Sequence, residues 1–221
     1  VPASTRYYTV LASTGAISMS TTARANYSGS LDADLVWRSI GSAGSAFCQG
    51  RVFLHNVPVA AASRDQAEIL YRQAEGCVLR SARLRRLFKC LEGYRRIRNL
   101  KNRSRIQVFA ADAKTGAGVI PTLAIVEELH RHKDLGLYRT WTGKIRKRKG
   151  AQLVTISTAG EPYSDFEETR EKIRQLPGMK RRGCFVRAAS SQIVIHDWAV
   201  PPKGDVTDMR LVKQANPFSA I

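Results

Sequence analysis

Acidic residues are in short supply. Eighteen Asp and Glu stand against thirty-six Lys and Arg, for a formal net charge of +18. Such an excess favours polyanion partners, because each phosphate contact releases condensed counterions. Cysteine is scarce too: Cys48, Cys77, Cys90 and Cys184 are scattered without a CxxC pair. That spacing excludes a disulfide scaffold or a zinc ribbon and reads as free thiols in a reducing cytoplasm. No stretch approaches the ~18 consecutive apolar residues of a membrane span, so no membrane association is expected. Val1 to Ala16 lack a basic start followed by a long apolar run, and no secretory leader is expected. The chain opens on Val1 rather than Met, which reads as a fragment or a processed product. Neither a Gly-x-Ser-x-Gly elbow nor a Cys/His nucleophile pattern occurs.

What is present is globular in character. With 221 residues, 43% hydrophobic and 24% charged, one mixed α/β domain is the expectation. Residues 1–50 are rich in Ser, Ala, Gly and Thr and form a poorly recognisable segment, with a weak strand expected over Ile17–Thr22. From residue 51 to 221 the signals sharpen. Val57–Ala61 reads as a short strand, and Pro58 within it argues for a sheet edge or a strand start. Ser63 caps a helix expected to run to about Lys89, with Ile69, Leu70, Ala74, Cys77 and Val78 on one face. Tyr94–Arg98 and Arg105–Ala110 alternate like paired strands. Leu123–Val126 and Leu153–Ile156 are apolar runs suited to buried, adjacent, parallel strands, with a helix over Leu135–Lys149 between them. Phe166–Leu176 and Asp208–Ala215 read as helices, and Gly183–Ala189 with Gln192–Val200 as a hairpin. The basic residues cluster over Arg80–Arg105, Lys144–Lys149 and Lys180–Arg182. Of these, Arg146, Lys147 and Arg148 are the candidate DNA contacts.

Both buried runs end in small polar clusters, and ligands of open α/β sheets sit at strand carboxyl ends. Glu127 and Glu128 follow Leu123–Val126 directly. Nucleotide hydrolysis needs one carboxylate for magnesium and another for the attacking water, and two successive acids leaving a buried strand can supply both. Acids here also serve as ordinary charges at a helix start. Ser157, Thr158 and Gly160 end the second run, where hydroxyls can sense a terminal phosphate. Glu128-Leu129-His130-Arg131-His132 lacks the HExxH spacing of a zinc protease. Asp197, Asp205 and Asp208, read in loop-and-cap settings, are assigned structural roles.

These segments resemble the large terminase subunit of tailed bacteriophages. The run from Gly118 to Asp134 is similar to its Walker B region, and Ile156–Pro162 to its coupling motif. Ala60–Ala67, Val108–Ala113 and Val212–Pro217 resemble the strand-to-helix junction after the phosphate loop, the segment before Walker B, and the end of the ATPase domain. The likeness covers residues 57–221. It implies a P-loop NTPase-like fold, with a mainly parallel central sheet and flanking helices, incomplete or degraded at its N-terminus. It implies ATP and Mg as cofactors, with Glu128 as the catalytic carboxylate and Glu127 in the magnesium role, where the family usually has Asp. Ser157, Thr158 and Gly160 would couple hydrolysis to movement. Double-stranded DNA, a small terminase subunit, a portal and copies of the chain itself are the implied partners, in the host bacterial cytoplasm. A nuclease domain would begin only past residue 221.

One part is missing. No GxxxxGK[ST] string occurs, and the one Gly-Lys pair, Gly143-Lys144, precedes Ile145. The resemblance places the loop near Ala23–Leu31. There Arg24 and Asn26 match, but Tyr27, Ser28 and Gly29 stand where Gly, Lys and Ser belong. Either the loop is degenerate or residues 1–50 are unrelated sequence. The expectation is thus an impaired ATPase motor domain that drives DNA packaging into a procapsid. The alternative is an inactive, basic nucleic-acid-binding remnant.

Overall fold

The computed structural model describes residues 8–13, 56–111, 116, 118–148, 151–190, 192–201 and 203–215. Ten strands form one mixed sheet: β1 (Tyr8–Ser13), β2 (Asn56–Ala61), β3 (Phe88–Leu91), β4 (Arg96–Asn99), β5 (Arg105–Ala110), β6 (Leu123–Glu127), β7 (Gln152–Ser157), β8 (Lys180–Arg182), β9 (Phe185–Ala189) and β10 (Ile193–Trp198). Their spatial order is β3-β4-β5-β2-β6-β7-β1-β10-β9-β8. The centre, β5-β2-β6-β7, is parallel throughout, and both flanks are antiparallel.

Five helices accompany the sheet among the described residues: α1 (Arg64–Arg80), α2 (Ala82–Leu87), α3 (Gly136–Ile145), α4 (Asp165–Arg174) and α5 (Met209–Gln214). Successive strand residues face opposite sides, so β6 serves two cores at once. Leu123 and Ile125 join Leu70, Tyr71, Ala74 and Val78 of α1. Ala124 and Val126 join Leu137, Tyr138, Trp141 and Ile145 of α3. All five residues of β6 are buried, which is why the run carries no polar alternation. Trp141 is fully buried, and its indole N–H donates to the Gly116 carbonyl at 3.1 Å.

Several expectations are corrected in detail. The long first helix ends at Arg80 because the Ser81 hydroxyl accepts from Leu84 N–H and caps a second, short helix. Phe88–Leu91 then pairs with β4 as a strand. The buried stripe of α1 is Ala67, Leu70, Tyr71, Ala74 and Val78. Ile69 is 52% exposed and Cys77 is exposed, because Tyr71 rather than Ile69 centres the face. The helix before β7 is shorter than Leu135–Lys149, spanning Gly136–Ile145. Pro58 lies in a strand flanked on both sides, not at an edge. The Asn56 carbonyl accepts from Thr122 N–H toward β6, and the β2–β6 register is taken up again at Val59, so the gap in the ladder falls at Pro58, which has no N–H to give. Ile17–Thr22 lies outside the described residues; the strand described in the N-terminal segment is β1.

Asp197 is likewise no loop residue. It sits in β10, fully buried, and accepts from Arg170 Nη2 at 2.9 and 3.1 Å. Asp205 and Asp208 hold the local turns expected of them: Asp205 accepts from Thr207 N–H, and Asp208 caps α5 through Arg210 N–H. None of the described helices is long and apolar enough to cross a membrane.

Candidate functional site

Strands β6 and β7 lie side by side and parallel, with Val126 opposite Thr155 and Glu127 opposite Ile156. Parallel pairing sends both chain exits to the same sheet edge. There Glu128 N–H donates to the Ile156 carbonyl at 2.7 Å, extending the ladder one residue past the strand. Glu128 then takes φ 50° and ψ 46°, a left-handed conformation that a non-glycine residue rarely adopts. The turn redirects the chain into a single 3-10 turn, Leu129–Arg131, which folds back over the end of β7. Glu127 and Glu128 are both buried, at 5% and 8% exposure.

Ser157 closes β7 and is 1% exposed. Its hydroxyl oxygen accepts from His130 N–H at 3.1 Å and lies 2.9 Å from His130 Nδ1. Thr158 Oγ1 lies 3.4 and 3.3 Å from the two ring nitrogens, and His130 Nε2 is 3.5 Å from Glu128 Oε2. His132, just beyond the turn, donates from Nε2 to the Glu127 carbonyl at 2.9 Å, since a carbonyl can only accept. Burial pushes the pKa of both imidazoles below the ordinary value. For His130 the Arg131 charge adds to this and Glu167 opposes it; for His132 the bond to Glu127 opposes it.

Gly160 N–H donates to Glu167 Oε1 at 2.6 Å. A side chain at Gly160 would come within 3.0 Å of the Phe166 ring, 3.2 Å of Ser164 Oγ and 3.3 Å of His130 Cβ, so glycine lets the loop pack against α4 and the 3-10 turn. Glu167 Oε2 accepts from Arg170 Nη1 at 2.7 Å, and Arg170 and Arg174 both reach Asp197. The loop after β7 is thereby tied through α4 to β10.

Glu127, Glu128, Ser157, Thr158 and Gly160 thus gather at one edge, as two parallel strands ending in polar clusters predict. Arg146, Lys147 and Arg148 do not join them. They follow α3 where it returns to the start of β7, at the opposite edge, and Arg148 donates to Thr122 Oγ1 at 3.2 Å. Arg24, Asn26, Ser28 and Gly29 lie outside the described residues. The sequence reading did not single out His130 as a bridge, nor Glu167 and Arg170 as supports. The signal for His130 was its place two residues after the second acid, in a turn too short to carry it away from the strand ends.

Carboxylate and hydroxyl oxygens are the hard donors that magnesium takes, and this edge supplies both, so the donor set fits a magnesium ion. A phosphate cradle is a different matter. A phosphate loop must leave a strand at this same edge, yet β1, the described strand beside β7 on its far side, is antiparallel to it. Thr9 pairs with Ser157 and Ser13 with Leu153, so the chain leaves β1 at the opposite edge. Strand β2 runs parallel to β6 and does end at this edge, but only Ala62 and Ser63 separate it from α1, too few residues for such a loop.

No curated protein matches the chain significantly. Among solved structures, the crystal structure of the HK97 bacteriophage large terminase is similar over 53% of this chain, at 21% identity and a TM-score of 0.45. The chain spans about a quarter of that structure's length, 26%. The family model for the terminase large subunit, ATPase domain, matches residues 50–175, more than half of the 221 residues, and the chain belongs to that family.

Proposed function

We propose that residues 51–221 form the ATPase domain of a DNA-packaging motor, with ATP as substrate and turnover impaired in this copy. The observation that carries the reading is the shared exit of β6 and β7, which brings Glu127 and Glu128 against Ser157, Thr158 and Gly160. In this reading Glu128 orients the attacking water and accepts its proton. Its left-handed backbone swings the carboxylate out of the strand direction, and the surrounding burial strengthens that hydrogen bond by lowering the local dielectric. Glu127, held by the His132 bond to its carbonyl, would hold Mg, which when bound supplies positive charge to the phosphates. The Glu side chain is one methylene longer than the usual Asp. Ser157 and Thr158 would sense the terminal phosphate, with Gly160 passing their movement to α4 through Glu167.

Impairment rests on two supports. The family match begins at residue 50, so Arg24, Asn26, Ser28 and Gly29 fall before it. The direction of β1 sends the chain away from the site. Both also favour the second reading, in which the chain is a catalytically inactive, basic nucleic-acid-binding remnant of such a motor. Double-stranded DNA, a small terminase subunit, a portal, self-association and a host-cell cytoplasmic location all belong to the proposal.

The test restores the loop with Tyr27→Gly, Ser28→Lys and Gly29→Ser, with and without Glu128→Gln. Titration of a labelled ATP analogue should show tighter binding on restoration, and any turnover gained should vanish with Glu128→Gln. Without a cradle, positioning is lost and the unmodified chain should be slower by several orders of magnitude. Brisk ATP turnover by the unmodified chain would put the phosphate site elsewhere. No gain on restoration would mean that residues 1–50 are unrelated sequence.

A further inference from the structure

His130 stands at the meeting point of the site. Its ring lies between Ser157 Oγ on one side and Glu128 Oε2 on the other, and packs beside the Phe166 ring with centroids 6.4 Å apart. The surrounding groups favour one nitrogen over the other as the carrier of the proton. Ser157 Oγ already accepts the backbone N–H of His130, which leaves the Ser157 hydroxyl hydrogen free to point at Nδ1. A proton on Nδ1 instead would leave the bare Nε2 lone pair facing the Glu128 carboxylate oxygen, which can only accept. With the proton on Nε2 that contact becomes attractive, while the Thr158 hydroxyl, able to donate or accept, suits either tautomer. Burial at this position favours the uncharged ring over the imidazolium.

We propose that His130 is a positioning residue for Glu128: it accepts from Ser157 on Nδ1 and presents Nε2–H to the Glu128 carboxylate and Thr158, so that the hydroxyls ending β7 set where that carboxylate points. The order Ser–His–Glu resembles a hydrolase triad, but the serine is no nucleophile here. Ser157 is 1% exposed and its oxygen is occupied by a backbone N–H. The ring is instead a rigid spacer across two strands. A shift of Ser157 or Thr158 would be passed to Glu128 through one imidazole rather than through the backbone.

The proposal rests on the functional reading for its catalytic meaning, but its geometry is testable without turnover. In the full chain labelled with 15N-histidine, the His130 ring should show the Nε2–H tautomer. Ser157→Ala should move its Nδ1 resonance toward that of an unbonded ring nitrogen, and Glu128→Gln should move the Nε2–H resonance. An Nδ1–H tautomer, or an Nδ1 resonance indifferent to Ser157→Ala, would overturn the proposal. The tautomer is read in the unmodified protein, so this arm does not depend on any variant folding.

The kinetic arm uses the loop-restored chain, in which turnover is expected. His130→Ala should lower kcat about 10–100-fold, as loss of an outer-sphere partner does, while KM for ATP stays within about twofold. The loss should not add to that of Ser157→Ala, since one bridge carries both. Additive losses, or a rise in KM with kcat unchanged, would reduce His130 to packing. Absence of turnover in both the unmodified and the loop-restored chain would instead count against the functional reading, and the tautomer alone would then decide the proposal.

Discussion

Glu128 combines three features that each work against stability: a positive φ, a carboxylate side chain and near-complete burial. A left-handed backbone costs a residue with a Cβ about 1–2 kcal/mol, whereas glycine adopts it freely. Glycine loses more chain entropy on folding, about 0.5–1 kcal/mol, which offsets part of the gain. Glu128→Gly should therefore leave the fold as stable or more stable by up to about 1 kcal/mol, while removing whatever turnover the loop-restored chain shows. Urea unfolding monitored through Trp141, which is fully buried, would read the stability. A loss of several kcal/mol would mean that Glu128 is structural rather than a group whose strain is maintained for chemistry.

At the scale of elements, α4 is joined to the sheet by charge as much as by oil. Its apolar contact to β9 and β10 is small, with Ile173 against Ala188 and Ile195. Beside it, Arg170 at 7% side-chain exposure and Arg174 at 17% converge on the fully buried Asp197 of β10. Removing one partner strands a buried charge, and Asp197→Ala should cost about 3–5 kcal/mol in denaturant unfolding. Replacing Arg170 and Asp197 together by Met and Leu should cost less, because the two most buried charges go together and the partners left, Arg174 and Glu167, are partly exposed. A double variant as damaged as Asp197→Ala would show that the ion pair is not what holds α4. The same helix holds Gly160 through Glu167, so loosening α4 should also loosen the loop that ends the site.

Across the whole molecule, the excess of basic residues is spread over separate surfaces. Arg146 and Lys147 are exposed at the sheet edge away from Glu128, and the hairpin of β3 and β4 exposes Lys89 and Arg98 on the far flank. Duplex DNA held there would lie away from the proposed hydrolysis site. Affinity should be tolerant of sequence and fall steeply with salt, each phosphate contact adding about 0.9 to the slope of log affinity on log salt. Arg146→Ala and Lys147→Ala should each lower that slope by roughly that amount. Arg148→Ala should also disturb the end of α3, because its guanidinium is bound to Thr122. Affinity unchanged between low and high salt would remove DNA from the list of partners.

The sequence by itself determined the parallel pair at the centre. Continuous apolar runs such as Leu123–Val126 are stable only when buried on both faces, and a helix between two such runs makes parallel pairing the short route. It therefore also determined that Glu127, Glu128, Ser157 and Gly160 share one edge. Local capping chemistry was legible too, in Ser63 and Asp208, because a cap needs only its own next three residues. The tertiary structure decided what depends on partners distant in the chain. It placed Tyr71 rather than Ile69 in the core, gave Pro58 an inner strand whose ladder to β6 is interrupted there, and buried Asp197 against two arginines more than twenty residues earlier. It also ran β1 antiparallel to β7 and set His130 between Glu128 and Ser157. The direction of a strand such as β1, far in the chain from its neighbours, and side-chain bridges across an edge arise from long-range packing and hydrogen bonding, and no local pattern of residues encodes them.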